Sequence, residues 1–440
     1  SPSGRLLDSL SYSLAWYREA GKQEGGWSLE QINPYLQCSF AGNWQASADA
    51  KGATPAAPNS RLNTTEDQQP PQLLQALALP EQQLVLIFDE ALNPASLQEL
   101  QLRLEPAHAL GPVRQQENRL VISLSEPLSK HISYTVLLAG LQDCSGNTTT
   151  AEAPLIRPKS AQAGEVVINE IMFDPEVDEP EWIELHNPTP HMLNLQGWYL
   201  GLREGQLRST LALADALLLL PPQGYLVLTR TAAALLEAYP ETPSHSLLEL
   251  PNLPALRNSG DTLVLLSPSA ALAEAVAFSP ALHHPLLATT KGVSLERIDP
   301  LRSGLLPANW SSASAPAYGT PGRANSQRYA PMAGGTQVLH IAPEVLEPTP
   351  DGVADVAHIH YQLPQPGLSG SLHILDASGR EVVRLANNQL LGQEGVFQWS
   401  GTSAAGERVR NGYYIVVLSV WGRDGFRQKW RKTVVVSSWL

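Results

Sequence analysis

The sequence predicts an all-β chain, a string of immunoglobulin-like β-sandwich domains. Three observations carry this. Short apolar or alternating runs recur along most of the length, among them residues 84–88, 119–124, 133–139, 166–172, 224–229, 261–267 and 413–421. Turn-forming residues punctuate them, with 36 Pro and 32 Gly in the chain. One segment breaks the pattern: residues 231–239, TAAALLEAY, space Ala, Leu and Glu as one or two turns of helix would.

At 440 residues the chain exceeds a single core and divides into roughly three or four units. The formal charge of −13 argues against a nucleic-acid partner, because binding phosphates takes clustered Lys and Arg. The most apolar run, 211–228, is broken by Pro221-Pro222 and carries Asp215, short of the ~20 clean apolar residues of a membrane span. Residues 1–5 lack the basic start and apolar run of a signal peptide. With only two cysteines, a disulfide-dense mini-domain and a Cys-based zinc cluster within the chain are excluded. Cys38 and Cys144 either form one disulfide in an oxidising compartment or remain two thiols.

Taken in order, residues 1–60 read as part of a repeat. Gly26-Trp27-Ser28-Leu29-Glu30-Gln31-Ile32-Asn33-Pro34 parallels Gly292-Val293-Ser294-Leu295-Glu296-Arg297-Ile298-Asp299-Pro300. Asn43-Trp44, Thr54-Pro55 and Asn59-Ser60 parallel Asn309-Trp310, Thr320-Pro321 and Asn325-Ser326 at the same 266-residue offset. Residues 1–60 are therefore expected to be the last third of an earlier copy of the unit at 164–326. The counterpart of 166–187 is not in the sequence. It is expected on a longer polypeptide of which this is the C-terminal part, or else on another chain, because a sandwich without its opening strands exposes edges and core.

Residues 61–71, RLNTTEDQQPP, read as a linker. Between 73 and 158, strands at 84–88, 119–124 and 133–141 carry Phe88-Asp89-Glu90-Ala91-Leu92 and Gly140-Leu141-Gln142-Asp143-Cys144-Ser145-Gly146-Asn147. This resembles the bacterial immunoglobulin-like module of surface-layer and adhesion proteins, and the unit is bounded at 61–158.

The unit at 159–328 opens with Asn169-Glu170-Ile171 at the end of an apolar strand. Glu181-Trp182-Ile183-Glu184-Leu185-His186-Asn187, Leu256–Asp261 (LRNSGD) and Ser294-Leu295-Glu296-Arg297 follow. In combination these resemble the lamin tail domain, a small immunoglobulin-like sandwich, and residues 1–60 then resemble the C-terminal part of a first such domain. The family resemblance implies no nucleophile, base or cofactor.

A second linker, 327–336, leads to the last unit, 335–440. Residues 371–385 read as strand, Asp-Ala-Ser-Gly turn and strand. Leu375-Asp376, Gly379-Arg380-Glu381-Val382, Trp399-Ser400-Gly401, Asn411-Gly412-Tyr413-Tyr414-Ile415 and Lys432-Thr433-Val434-Val435 resemble the hook-capping-type C-terminal sandwich of proteins exported by the type IX route. The strand from Tyr413 is apolar on both sides and is expected to be central, with Ile415 and Val417 on one side and Val416 and Leu418 on the other.

Few residues suggest chemistry. Six carboxylates lie within 174–184, and Asp174, Glu176 and Asp178 have the 1-3-5 spacing of a calcium loop, without its glycine at the sixth position. They are either Ca²⁺ ligands or a solvated strand connection. Asp351 and Asp355 are a second calcium candidate, or an ordinary Asp-Gly turn. His283-His284 are adjacent and on a strand would face opposite sides; His358 and His360 share a face but lack an evident third ligand. No nucleophile elbow, phosphate loop or His-Glu-Xaa-Xaa-His occurs.

The chain is thus expected to be no enzyme and to hold no cofactor beyond Ca²⁺. The expected role is a structural, adhesive or assembly protein, secreted or at the cell surface or outer membrane, exported by a type IX-like route. It would bind protein partners through strand edges and loops. Two other readings stay open: accessory modules of an extracellular nuclease or phosphatase whose catalytic domain lies upstream, and a stable subunit of an outer-membrane complex.

Overall fold

The computed structural model describes residues 10–36, 38, 40–80, 82–129, 131–285, 287, 289–329, 337–348 and 356–437. The chain folds as two compact units, Ser1–Pro158 and Lys159–Leu440. It is all-β apart from short 3-10 turns and the helix Ala232–Ala238, which falls where the helical spacing placed it.

In the first unit, an immunoglobulin-like sandwich packs two sheets. One has the order Leu73–Leu79, Gln83–Phe88, Arg119–Leu124, Leu110–Gln116; the other Gln101–Glu105, Thr135–Gln142, Thr148–Pro154. Alternation explains the core: Leu84, Leu86, Phe88, Leu120, Ile122, Val136 and Leu138 face inward. The same unit holds the hairpin Leu29–Gln31 with Trp44–Ala46. Residues 61–71 are more than a spacer: the Asn63 amide donates to Ile32 O, and Asp67 O accepts from Asn147 Nδ2.

The second unit contains two sandwiches. The first packs a six-stranded sheet on a four-stranded one. The six strands run Leu247–Glu249, Tyr225–Thr229, Trp182–His186, Val167–Met172, Leu295–Arg297, Trp310–Ser312. The four run Gln206–Ala212, Tyr199–Glu204, Asp261–Leu266, Leu272–Phe278. Every residue of Val167–Met172 and Trp182–His186 is buried. One face, with Ile168, Ile171, Ile183 and Leu185, meets the four-stranded sheet. On the other face Met172, Trp182 and Val227 pack under Leu235 of the helix. The carboxylate-rich segment is therefore not wholly a solvated connection, because Glu184 lies on that second face, fully buried.

The last sandwich packs Leu339–Ala342, Ala357–Gln362 and Glu394–Trp399 on a five-stranded sheet. Its order is Val345–Leu346, Arg427–Val436, Gly412–Trp421, Ser369–Asp376, Glu381–Leu390. The hairpin turn forms because Asp376 Oδ1 accepts from the amides of Ser378 and Arg380. Gly412–Trp421 is central, as expected, but its two faces differ: Tyr414, Val416, Leu418 and Val420 fill the core, while Tyr413 is 66% exposed. The two cores are separate, yet polar groups bridge them. Gln327 is buried, donates from Nε2 to Leu391 O (2.9 Å) and accepts from the Gly367 amide (2.7 Å), and the Gln393 amide donates to Ser326 O.

Candidate functional site

Three carboxylates meet on the second face of the six-stranded sheet. The register sets Glu170 opposite both Glu184 and Glu296, and all three are fully buried. The chain after Ser312 closes over them. Thr320 N and Ser294 Oγ donate to Glu170 Oε1. Gly322 N and Asn169 Nδ2 donate to Glu184. Ser326 Oγ and Gln327 N donate to Glu296, and Thr320 Oγ1, with one proton to give, lies between Glu170 Oε2 and Glu296 Oε1 at 2.8 and 3.0 Å. Burial raises all three carboxyls; the charge of Glu296 adds to the rise at Glu170, and that of Glu170 to the rise at Glu184. An acid–base pair would need a cleft for substrate, and this layer is closed, so its acceptors work as a clamp on the returning chain.

The same clamp recurs 266 residues earlier. Leu29, Glu30 and Gln31 pair with Ala46, Gln45 and Trp44, as Leu295, Glu296 and Arg297 pair with Ser312, Ser311 and Trp310. Thr54 Oγ1, Ser60 Oγ and the Arg61 amide donate to Glu30. Asn43 Nδ2 donates to Asn33 O and the Asn33 amide to Asn43 Oδ1, as Asn309 and Asp299 do later. Ser1-Pro2-Ser3 also repeats Ser267-Pro268-Ser269 at this offset, so the sequence repeat covers all of 1–60.

The two copies differ at one edge. Leu295–Arg297 lies between two strands, whereas Leu29–Gln31 pairs only with Trp44–Ala46 among the described residues. Leu295 and Arg297 are buried; Leu29 and Gln31 are half-buried. Leu10 and Tyr12 are 38% and 66% exposed, while their counterparts Val276 and Phe278 are 0% and 2% exposed. The Leu29–Gln31 strand, paired on one side only among the described residues, is the candidate site.

A disulfide joins Cys38 to Cys144 within the first unit. Beside it lies a cavity of about 550 Å³, lined among others by Asn33, Asn43, Asp67, Glu90 and Cys144. Oxygens of Asp67, Glu90 and Asp143 come within 4.8 Å of one another, a spacing that one cation could share. Asp143 is buried, and its Oδ1 accepts from the amides of Ser145, Gly146 and Asn147. Burial, with the charges of Asp143, Asp67 and Asp89, raises the Glu90 carboxyl to about 7. Residues 67, 90 and 143 are too far apart in sequence for spacing to reveal the cluster.

The calcium candidate Asp174, Glu176, Asp178 does not form such a group among the described residues. Asp174 accepts from Asn258 Nδ2 and faces Lys291, and Glu176 and Asp178 are exposed. Asp351 and Asp355 lie outside the described residues.

His283 and His284 are not on a strand; they follow the 3-10 turn Pro280–Leu282, and both are buried. His283 Nδ1 lies 2.9 Å from Ser312 Oγ, a nucleophile–base contact in outline. Burial lowers the His283 pKa to about 4, and neither side chain opens to a cleft. His358 and His360 do share a face, and the neighbouring strand sets His340 opposite His360.

The lamin tail domain model matches residues 159–279, and the FlgD Ig-like domain model matches residues 351–424. No curated protein matches the chain. Among solved structures, dimeric latent PorU from Porphyromonas gingivalis is 12% identical, with a TM-score of 0.19, over 90% of this chain and 35% of that one. PorZ, a surface component of the type IX secretion system of the same organism, is 11% identical, with a TM-score of 0.19, over 83% and 45%. The N-terminal part of the bacterial S-layer protein SbsC is 14% identical, with a TM-score of 0.20, over 36% and 40%. The chain thus spans less than half the length of each.

Proposed function

We propose that this chain, which carries a lamin tail domain and a FlgD Ig-like domain, is a non-catalytic protein of the cell surface or extracellular space that binds partners through open strand edges. The supporting observation is the Leu29–Gln31 strand, which among the described residues is paired on one side where its repeat is paired on both; the strand that completes it belongs to the same polypeptide or to another chain. An exposed edge offers unsatisfied amides and carbonyls, and a strand added there gains backbone hydrogen bonds while pockets beside it select side chains. The strand that fits there, from the same polypeptide or from a partner, is of the Val-Ile-Asn-Glu-Ile-Met type, because Val167–Met172 fills this position in the later copy. The disulfide supports an oxidising compartment. In this reading the last sandwich serves as the export or anchoring element of a type IX-like route.

The offset supplies a direct test. Ser1 corresponds to Ser267, so a second copy of residues 164–266 joined directly ahead of Ser1 recreates a continuous lamin tail sequence. The amides of Leu29–Gln31 are expected to become protected from hydrogen exchange in the fusion. Unchanged exchange there, with the added segment cleaved by protease, would show that the edge accepts no strand.

A further inference from the structure

The strands Leu339–Ala342 and Ala357–Gln362 alternate strictly. Leu339, Ile341, Ala357, Ile359 and Tyr361 face the core, so His340, His358 and His360 emerge together on the outer face. The register sets His340 opposite His360, and His358 opposite Ala342. The ring of His360 lies 6.2 Å from that of His340 and 6.3 Å from that of His358, centroid to centroid, each pair inclined by 32°. His340 and His360 are exposed and His358 is half-buried. His360 is paired on its other side with Val396, and His358 with Gln398, so no Lys or Arg stands directly across from either.

We propose that His340, His358 and His360 form a surface site for one divalent transition-metal ion of the Zn²⁺ or Cu²⁺ class. Neutral imidazole is a ligand for these borderline ions and a poor one for Ca²⁺ or Mg²⁺. With metal–nitrogen bonds of about 2.0–2.1 Å, two rings on one ion stand about 5 Å apart, centroid to centroid. The observed separations exceed that by about 1 Å, and the three rings as they stand do not bring their nitrogens together within 4.8 Å; closing on an ion takes χ rotations, which exposed side chains allow. His360 stands between the other two and is the shared ligand; three protein ligands leave a coordination position open to solvent.

The test uses the chain without an affinity tag, titrated with ZnCl₂ at pH 7.5 by calorimetry. One ion per chain in the micromolar range is expected. His360→Ala should abolish binding, and His340→Ala or His358→Ala should weaken it about tenfold or more, since outlying ligands share the site. His131→Ala, in the other unit, should leave it unchanged, and circular dichroism should show each variant folded. Absence of binding by the parent, or equal binding by the triple variant His340→Asn, His358→Asn, His360→Asn, overturns the site.

Discussion

Glu30 and Glu296 stand 266 residues apart and accept equivalent hydrogen bonds, yet their carboxyls are shifted in opposite directions. For Glu30, burial acts upward, but the Ser60, Thr54 and Ser47 hydroxyls and the Arg61 amide outweigh it and hold the group at about 2. For Glu296, inside a complete sheet beside Glu170, burial wins and the group is raised. The same latch is thus shifted in opposite directions according to whether its strand is paired on one side or on both among the described residues.

Opposite pH dependences follow. A depressed carboxyl stabilises the fold above its ordinary value near 4.5 and loses that as pH falls towards 2, so the hairpin around Glu30 should weaken in acid. Raised carboxyls stabilise below their ordinary value and lose that as pH rises through their folded values. The lamin tail sandwich should therefore gain stability from pH 8 to about pH 6.5, above the range in which the buried His186, His283 and His284, whose pKa values are lowered, begin to cost stability. Hydrogen exchange at 29–31 from about pH 5 to about pH 2.5, and at 167–172 from pH 8 to about pH 6.5, checks the two; a lamin tail sandwich that weakens from pH 8 to about pH 6.5 would refute the clamp electrostatics.

Glu170→Gln should be neutral or stabilising at pH 8. It keeps an acceptor for Ser294 and the Thr320 amide, removes charge beside Glu296, and the Thr320 hydroxyl can turn to accept from the new amide. Glu170→Ala orphans those donors and should cost about 2–3 kcal/mol. Denaturant melts of the two variants should separate by that amount.

Reduction of Cys38–Cys144 should destabilise the first unit alone. The bond closes a loop with a sequence separation of 106, worth roughly 4–5 kcal/mol in the entropic account. Native unreduced protein should take up no thiol label, and labelling of both cysteines would contradict the bond.

In the last sandwich, Val416→Asp should unfold the domain, because Val416 is fully buried and an unpaired carboxylate there costs ~4 kcal/mol or more. Tyr413→Asp, on the open side of the same strand, should be tolerated. If the domain is the export element, Val416→Asp should also lose surface display. Normal display of a demonstrably unfolded domain would remove it from that role.

No hydrolytic turnover is expected. Nuclease, phosphatase and esterase substrates should be untouched, and Ser312→Ala should change nothing but stability, since its contact with His283 is sealed in the core. Turnover that vanishes in this variant would reinstate a catalytic reading.

Much of the fold was legible because its signals are local. Alternation gave the strands, Asp376 and Gly379 the hairpin, and fixed spacing gave the repeat. What escaped depends on pairing between distant residues. Glu170, Glu184 and Glu296 are ordinary strand acids until register places them side by side. Asp67, Glu90 and Asp143 meet only when a supposed linker folds back, and His340 joins His358 and His360 only across a ladder. The two faces of Gly412–Trp421 looked alike because Ile415 and Val417 are as apolar as Val416 and Leu418; only the opposing sheet decides which is core.

Gln327 gives the second unit a mechanical property. Its amide holds Glu296, its side chain grips Leu391 and Gly367, and the preceding carbonyl holds Gln393. These bonds link the last sandwich to the carboxylate clamp, and a load on that sandwich is expected to bear on the clamp through them. If that sandwich is tethered to a surface, the strap over Glu170, Glu184 and Glu296 is expected to share the load, and to hold less firmly at a pH where these raised carboxyls ionise side by side.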